Sequence, residues 1–132
     1  MAMIVVDTDV LIDFMFGKGP GDEMLQSVLG REDLHTTAVT FYEFLVGNAP
    51  PRLDSRIRGV LENLVVLPLD ERSARCAADV RRNLRREHHD IGMADCLIVG
   101  TVLTHGGILM TRNFRHFNLV EGLRIYRFQE GG

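Results

Sequence analysis

Short strand-like runs alternate with stretches of helical spacing from one end of this chain to the other. Met3 to Val6 is uninterrupted apolar sequence, the pattern of a strand covered on both faces, and Val10 to Phe16 follows with helical spacing. Gly17, Gly19, Pro20 and Gly21 break that helix, Asp22 to Leu29 resumes as a second one, and Leu34 to Thr37 is the next strand. Ala38 to Gly47 reads as a helix ended by Gly47, Asn48 and Pro50, and Leu53 to Leu64 as another that leads into the strand Val65 to Leu67. Asp70 is placed to cap a long helix from Glu71 to about Arg86. A break at His88 to Gly92 precedes the helix Met93 to Thr104, which Gly106 and Gly107 stop. Ile108 to Thr111 and Ile125 to Phe128 are the last strands.

This order restricts the fold to an α/β class: a mainly parallel sheet of four to five strands between helices, with right-handed crossovers. In such sheets ligands bind beyond the carboxyl ends of the strands, where Asp7 and the segment Thr111 to Asn113 fall. With 132 residues, 45% of them hydrophobic and 25% charged, the chain suits a single domain spanning 1–132. No apolar stretch approaches the roughly 18 residues of a membrane span, and the N-terminus lacks the basic region and cleavage site of a signal peptide. A soluble, cytoplasmic protein with no membrane contact is expected. Cys76 and Cys96 have no partner at metal-ligand spacing and read as reduced thiols in apolar helices.

Three carboxylates stand where the pattern asks for apolar side chains. Asp7 ends the first apolar run, Glu43 shares its helical face with Val39, Thr40, Val46 and Gly47, and Asp95 shares its face with Ile91, Gly92, Ile98 and Val99. Asp79, among Arg75, Cys76, Arg82 and Asn83, is by contrast an ordinary solvated acid. Taking a carboxylate out of water costs several kcal/mol unless it is paired or bound to a metal, so the trio implies a shared cation. Hard oxygen ligands favour Mg²⁺ or Mn²⁺, which keep waters suited to phosphodiester hydrolysis. Capping is the competing account for Asp7 and Asp95, which lie near helix starts, but it does not reach Glu43 in mid-helix.

The segments VVDTDVLIDF at Asp7, TFYEFLVG at Glu43 and IGMADCLIVGTVLTHGGILMTRNFRHF around Asp95, together with their spacing, resemble the PIN-domain ribonucleases. In particular they are similar to the VapC-type toxins of toxin–antitoxin pairs. The resemblance covers nearly the whole chain and implies a PIN-like three-layer α/β/α sandwich. It also implies a Mg²⁺- or Mn²⁺-dependent endoribonuclease, the toxin of a type II pair, cutting single-stranded or loop RNA to leave a 3′-hydroxyl and a 5′-phosphate. The metal site would comprise Asp7, Glu43 and Asp95, with Asn113 at a fourth catalytic position that is often acidic in the family. An asparagine there adds no charge, which weakens a second metal. Thr8 and Thr111 would steady the metal ligands, and Asp9 would join from the first turn of the helix or cap it. Implied partners are an RNA substrate, a cognate antitoxin and a second copy of the chain in a homodimer.

The net charge of −3 and pI of about 5.9 argue against RNA binding by bulk electrostatics and leave it to local contacts. Arg112, Arg115 and His116, beyond the fourth strand, read either as a grip on phosphates or as an ordinary solvated loop. The run Arg81 to Arg86 reads as an exposed helix face or a surface for an acidic partner, and the stripe Phe41, Phe44 and Leu45 as packing or a subunit interface.

Two other readings compete. Asp7-Thr8-Asp9 after an apolar strand also resembles the opening motif of haloacid-dehalogenase-type phosphatases and the acid pair of response-regulator receivers. Both need a lysine after a later strand, and Lys18 is the only lysine among the 15 lysines and arginines. The second is a PIN-like fold with a weakened site, kept to bind RNA or protein, for which Asn113 is the sole sequence feature.

Overall fold

The structure, a computed structural model, describes residues 3–30, 33–48 and 55–128. Strands β1 (Ile4–Val6), β2 (Leu34–Thr37), β3 (Val65–Leu67), β4 (Ile108–Met110) and β5 (Arg124–Ile125) form one sheet in the order β3-β2-β1-β4-β5. Every pairing is parallel, with Val6 opposite Thr36 on one side and Met110 on the other. The chain builds outward from β1 through β2 to β3 and then crosses to the other side of β1 for β4 and β5. The strand order therefore reverses between β1 and β4, where an α/β sheet opens a crevice beyond its carboxyl ends.

Alternate side chains of β1 feed two cores on opposite faces, as the two-residue period of a strand requires. Ile4 and Val6 pack with Val10, Leu11, Phe14, Leu25, Phe44 and Ile57. These come from helices α1 (Thr8–Phe16), α2 (Gly19–Val28), α3 (Ala38–Asn48) and α4 (Ser55–Asn63). Val5 packs with Val80, Leu84, Ile98, Val99, Val102 and Leu109, from β4 and from helices α5 (Glu71–Arg86) and α6 (Met93–His105). The result is the α/β/α sandwich that the alternation of elements implied.

Local signals match several boundaries. Asp70 accepts from the Ser73 backbone N–H at 2.9 Å and caps α5, while Gly106 ends α6 in the left-handed conformation at φ 77°. Other boundaries differ. α2 begins at Gly19, not Asp22, because Pro20 in the first turn has its φ preset and gives up an N–H that would have no partner there. The expected start of α4 at Leu53, and Pro50 before it, lie outside the described residues. β5 is two residues, Arg124–Ile125, where Ile125 to Phe128 was expected. A one-turn helix, α7 (Phe114–Phe117), follows the fourth strand and is too short to leave a helical period in the sequence. No helix among the described residues is long and apolar enough to cross a membrane.

Candidate active site at the carboxyl edge of the sheet

Asp7 leaves β1 at its carboxyl end and is the N-cap of α1, its backbone N–H held by the Met110 carbonyl at 2.9 Å. It is 6% exposed. Its carboxylate is gripped on both sides: Oδ1 accepts from the Thr8 N–H at 2.8 Å and Oδ2 from the Thr111 hydroxyl at 2.7 Å. Thr8 turns its own hydroxyl to Glu43 Oε1, 3.0 Å away and 35 residues on in sequence. Asp9, in the first turn of α1, accepts from the Arg112 N–H at 3.0 Å through Oδ2, which also lies 3.4 Å from the Thr111 hydroxyl. Asp95, in the first turn of α6, faces His116 Nδ1 at 3.2 Å. Asn113 donates its backbone N–H to Thr111 Oγ1 at 3.1 Å, and its half-buried side chain does not cap α7.

Tertiary structure thus brings Asp7, Glu43 and Asp9 to one edge through two threonine hydroxyls. Asp95 lies close enough for its charge to act on Asp7. Burial, then the charge of Asp9 and to a smaller degree that of Asp95, push Asp7 up to about 7, against the hydrogen bonds from Thr111 and Thr8. Burial likewise raises Asp9, although the backbone N–H and the guanidinium of Arg112 oppose it. Asp9 Oδ1 is buried with no hydrogen-bond partner among the described residues.

The expectation that all three sequence-selected acids are buried holds for Asp7 alone. Glu43 and Asp95 are half-buried, with the Asp95 side chain 23% exposed. Glu43 borders an exposed ridge, Tyr42 and Val46, and Asp95 opens the first turn of a helix whose buried stretch begins after it. Asp79 is solvated and pairs with Arg82. Of the expected apolar stripe, Phe44 is fully buried in the core and Leu45 packs against it partly buried, while Phe41 is half-buried. Arg81 and Arg85 pair with Asp90 on the exposed side of α5.

Among the described residues, no three or more His, Cys, Asp or Glu side chains stand grouped so as to hold a metal ion between them, and the expected trio Asp7, Glu43 and Asp95 is not drawn together into one ligand set. The acids are spaced by hydroxyls, an arrangement unsuited to a four-coordinate structural zinc. It suits a hard ion that takes one or two carboxylates and keeps several waters, and the unpartnered Asp9 Oδ1 beside the raised Asp7 is the local excess of acceptors that such an ion offsets.

Asp13, absent from the sequence reading, is also part of this edge. Its Oδ2 accepts from the Gly21 N–H at 2.9 Å and pairs with Arg112 Nε at 3.0 Å. Its place four residues after Asp9, on the same face of α1, is the only sequence signal of that role. Arg115 and His116 are exposed on α7. Lys18 lies past the far end of α1, over the Phe16 ring at 5.8 Å, and brings no cation to Asp7 as a phosphatase or receiver would need.

Comparison with known proteins gives one consistent picture. The PIN domain family model matches residues 4–123. Ribonuclease VapC10 of Mycobacterium tuberculosis is 34% identical over 92% of this chain and 91% of its own length. The tRNA(fMet)-specific endonuclease VapC of Shigella flexneri is 28% identical over 94% and 96%. Among solved structures, DNA-bound VapBC from Salmonella typhimurium is similar at a TM-score of 0.79 and 26% identity, covering 96% of this chain and 98% of that one. Promoter-bound VapBC2 from Rickettsia felis reaches 0.82 at 14% identity, with 96% and 99% covered.

Proposed function

The chain belongs to the PIN-domain family, and on that premise we propose that it is a divalent-metal-dependent endoribonuclease, the toxin of a type II toxin–antitoxin pair. The observation that carries the reading is Asp7, a buried carboxylate tied through Thr8 to Glu43 and through Thr111 to Asp9. That much negative charge at one sheet edge calls for a cation.

Asp7, Glu43 and Asp95 would hold Mg²⁺ or Mn²⁺, with Asn113 contributing an uncharged carbonyl. When bound, the ion supplies an activated water and offsets charge on the phosphate oxygens. The chain's own part is orientation: the Thr8 and Thr111 hydroxyls and the Arg112 N–H fix the directions of Glu43, Asp7 and Asp9. Arg112, Arg115 and His116 sit on the loop and short helix where RNA phosphates would pass, and they position the backbone without reading bases.

The partners of this reading are an antitoxin and a second copy of the chain. The relatives in VapBC complexes support the first. An apolar groove of about 340 Å³ lined by Val39, Tyr42, Leu69, Met93 and Leu97, with Glu43 on its rim, supports the second. Exposed Tyr42 and Met93 would be covered in a homodimer.

The test is cleavage of defined transfer, ribosomal-loop and messenger RNAs with Mg²⁺ or Mn²⁺. Cutting should stop on chelation and in Asp7→Asn, Glu43→Gln and Asp95→Asn. Variants that cut like the parent would end the assignment, and RNA binding without cutting by the parent would favour a binding module.

A further inference from the structure

We propose that Asp13 is a positioning residue: its carboxylate pairs with the Arg112 guanidinium one helical turn down α1, so that the guanidinium does not pair directly with Asp7 or Asp9 and leaves those acids free to take a divalent cation. The proposal rests on the metal-dependent reading above.

Arg112 meets α1 twice. Its backbone N–H donates to Asp9 Oδ2 at 3.0 Å, and its Nε lies 3.0 Å from Asp13 Oδ2. Asp9 and Asp13 are one helical turn apart on the same face, so the arginine stem runs down the helix from its anchor. Asp7 is the N-cap of α1, and the Asp13 backbone that the guanidinium pairs beside lies about 9 Å further along the axis, six residues at about 1.5 Å each.

Without Asp13, the cation nearest the acids would be their own neighbour. The Arg112 N–H already holds Asp9 Oδ2 at 3.0 Å, Asp9 Oδ1 has no partner among the described residues, and the Thr111 hydroxyl lies between Asp9 and Asp7. A guanidinium matches carboxylates in a forked geometry and would neutralise the pair from within. Such an internal ion pair competes directly with a metal.

Asp13 is built for the opposite role. Its side chain is 13% exposed, and it sits where the first turn of α2 presents the Gly21 N–H. The glycines of that turn leave the room: a Cβ at Gly19, where φ is +82°, would stand 2.6 Å from Asp13 Oδ2, and one at Gly21 2.8 Å from Asp13 Cβ and 2.9 Å from Val10 Cα. The Gly17 to Gly21 segment, which the sequence marks as a helix break, is thus the cradle of a carboxylate. Arg112 is 42% exposed in its side chain, so it is restrained on the acid side while open to a phosphate from solvent.

The experiment compares the parent with Asp13→Asn, Arg112→Gln and the double variant, using Mn²⁺ alone as the probe and titrating binding by electron paramagnetic resonance. Asparagine keeps an acceptor for Gly21 and loses only the charge. Asp13→Asn should bind Mn²⁺ roughly tenfold more weakly, about the effect of one unpaired neighbouring charge, and the double variant should return to the parent's affinity. An Asp13→Asn protein with the parent's affinity, or a double variant as weak as Asp13→Asn, overturns the proposal. Should Asp13→Asn not fold, Arg112→Gln decides: binding at or above the parent's level supports the proposal, and weaker binding refutes it. Thermal melts of the same four proteins without metal measure the Asp13–Arg112 coupling separately. Coupling in a parent that binds no Mn²⁺ sinks the metal reading itself, whereas Mn²⁺ binding without coupling sinks the positioning role of Asp13.

Discussion

The Thr111 hydroxyl donates to Asp7 Oδ2 at 2.7 Å across 104 residues of sequence, and its oxygen accepts the Asn113 N–H at 3.1 Å. One side chain at the end of β4 thereby orients a carboxylate at the end of β1 and the loop that follows itself. Thr111→Val keeps the volume and removes the donor from a buried charge, which costs about 1.5–3 kcal/mol for a hydrogen bond to a charged group. We expect a melting temperature several degrees lower at pH 8 and a loss of RNA cleavage, both largely restored by Thr111→Ser. Calorimetry and a cleavage assay on the three proteins check this.

The metal-free protein should lose stability as pH rises from about 4 to about 7. Asp7 titrates near 7 in the fold, against an ordinary value of 3.8, because burial disfavours its charge. Over that window the folded state binds more protons than the unfolded chain, so unfolding free energy falls with pH, and raised Asp9 acts in the same direction. Saturating Mg²⁺ should flatten the decline by binding the ionised form. Denaturant melts at pH 5 and pH 8, with and without Mg²⁺, measure it, and a metal-free protein more stable at pH 8 would contradict the expectation.

Asp7→Asn should stabilise the metal-free protein at pH 8 while abolishing activity. The amide keeps an oxygen to cap α1 and removes one of the mutually repelling charges. Asp70→Ala is the contrast, an exposed cap whose loss should lower the melting temperature and leave Mn²⁺ binding unchanged. Opposite directions in paired melts separate a functional carboxylate from a structural one.

Gly100→Ala should destabilise the fold by about 1–3 kcal/mol through overpacking. A Cβ there would stand 2.6 Å from the Ala77 backbone nitrogen and 2.6 Å from the Ser73 carbonyl oxygen, rigid atoms that cannot swing aside. Gly100 stands five residues, about 7.5 Å, along α6 from Asp95 on the face packed against α5, so a weakening of Mn²⁺ binding beyond the stability loss would show that the shift reaches that acid. Chemical denaturation with an Mn²⁺ titration reads both effects.

Much of this architecture was legible in the chain because it is written locally. Period-two and helical spacings, Asp70 before a helix and glycines after one act within a few residues, and they locate β2, β3 and α5 at their observed boundaries. Asp7 at the end of an apolar strand, and its pairing in family resemblance with Glu43 and Asp95, pointed to the carboxyl edge of the sheet. What only the tertiary structure decided are the contacts that span the chain: Thr8 to Glu43, Thr111 to Asp7 and Arg112 to Asp13. Each depends on β4 lying beside β1 or on α3 lying across α1, and no local pattern encodes that adjacency. Exposure was likewise decided by packing: Glu43 and Asp95 sit among apolar helical neighbours in sequence yet reach solvent, Glu43 beside the exposed Tyr42 and Val46, and Asp95 in the first turn of α6 ahead of its buried stretch.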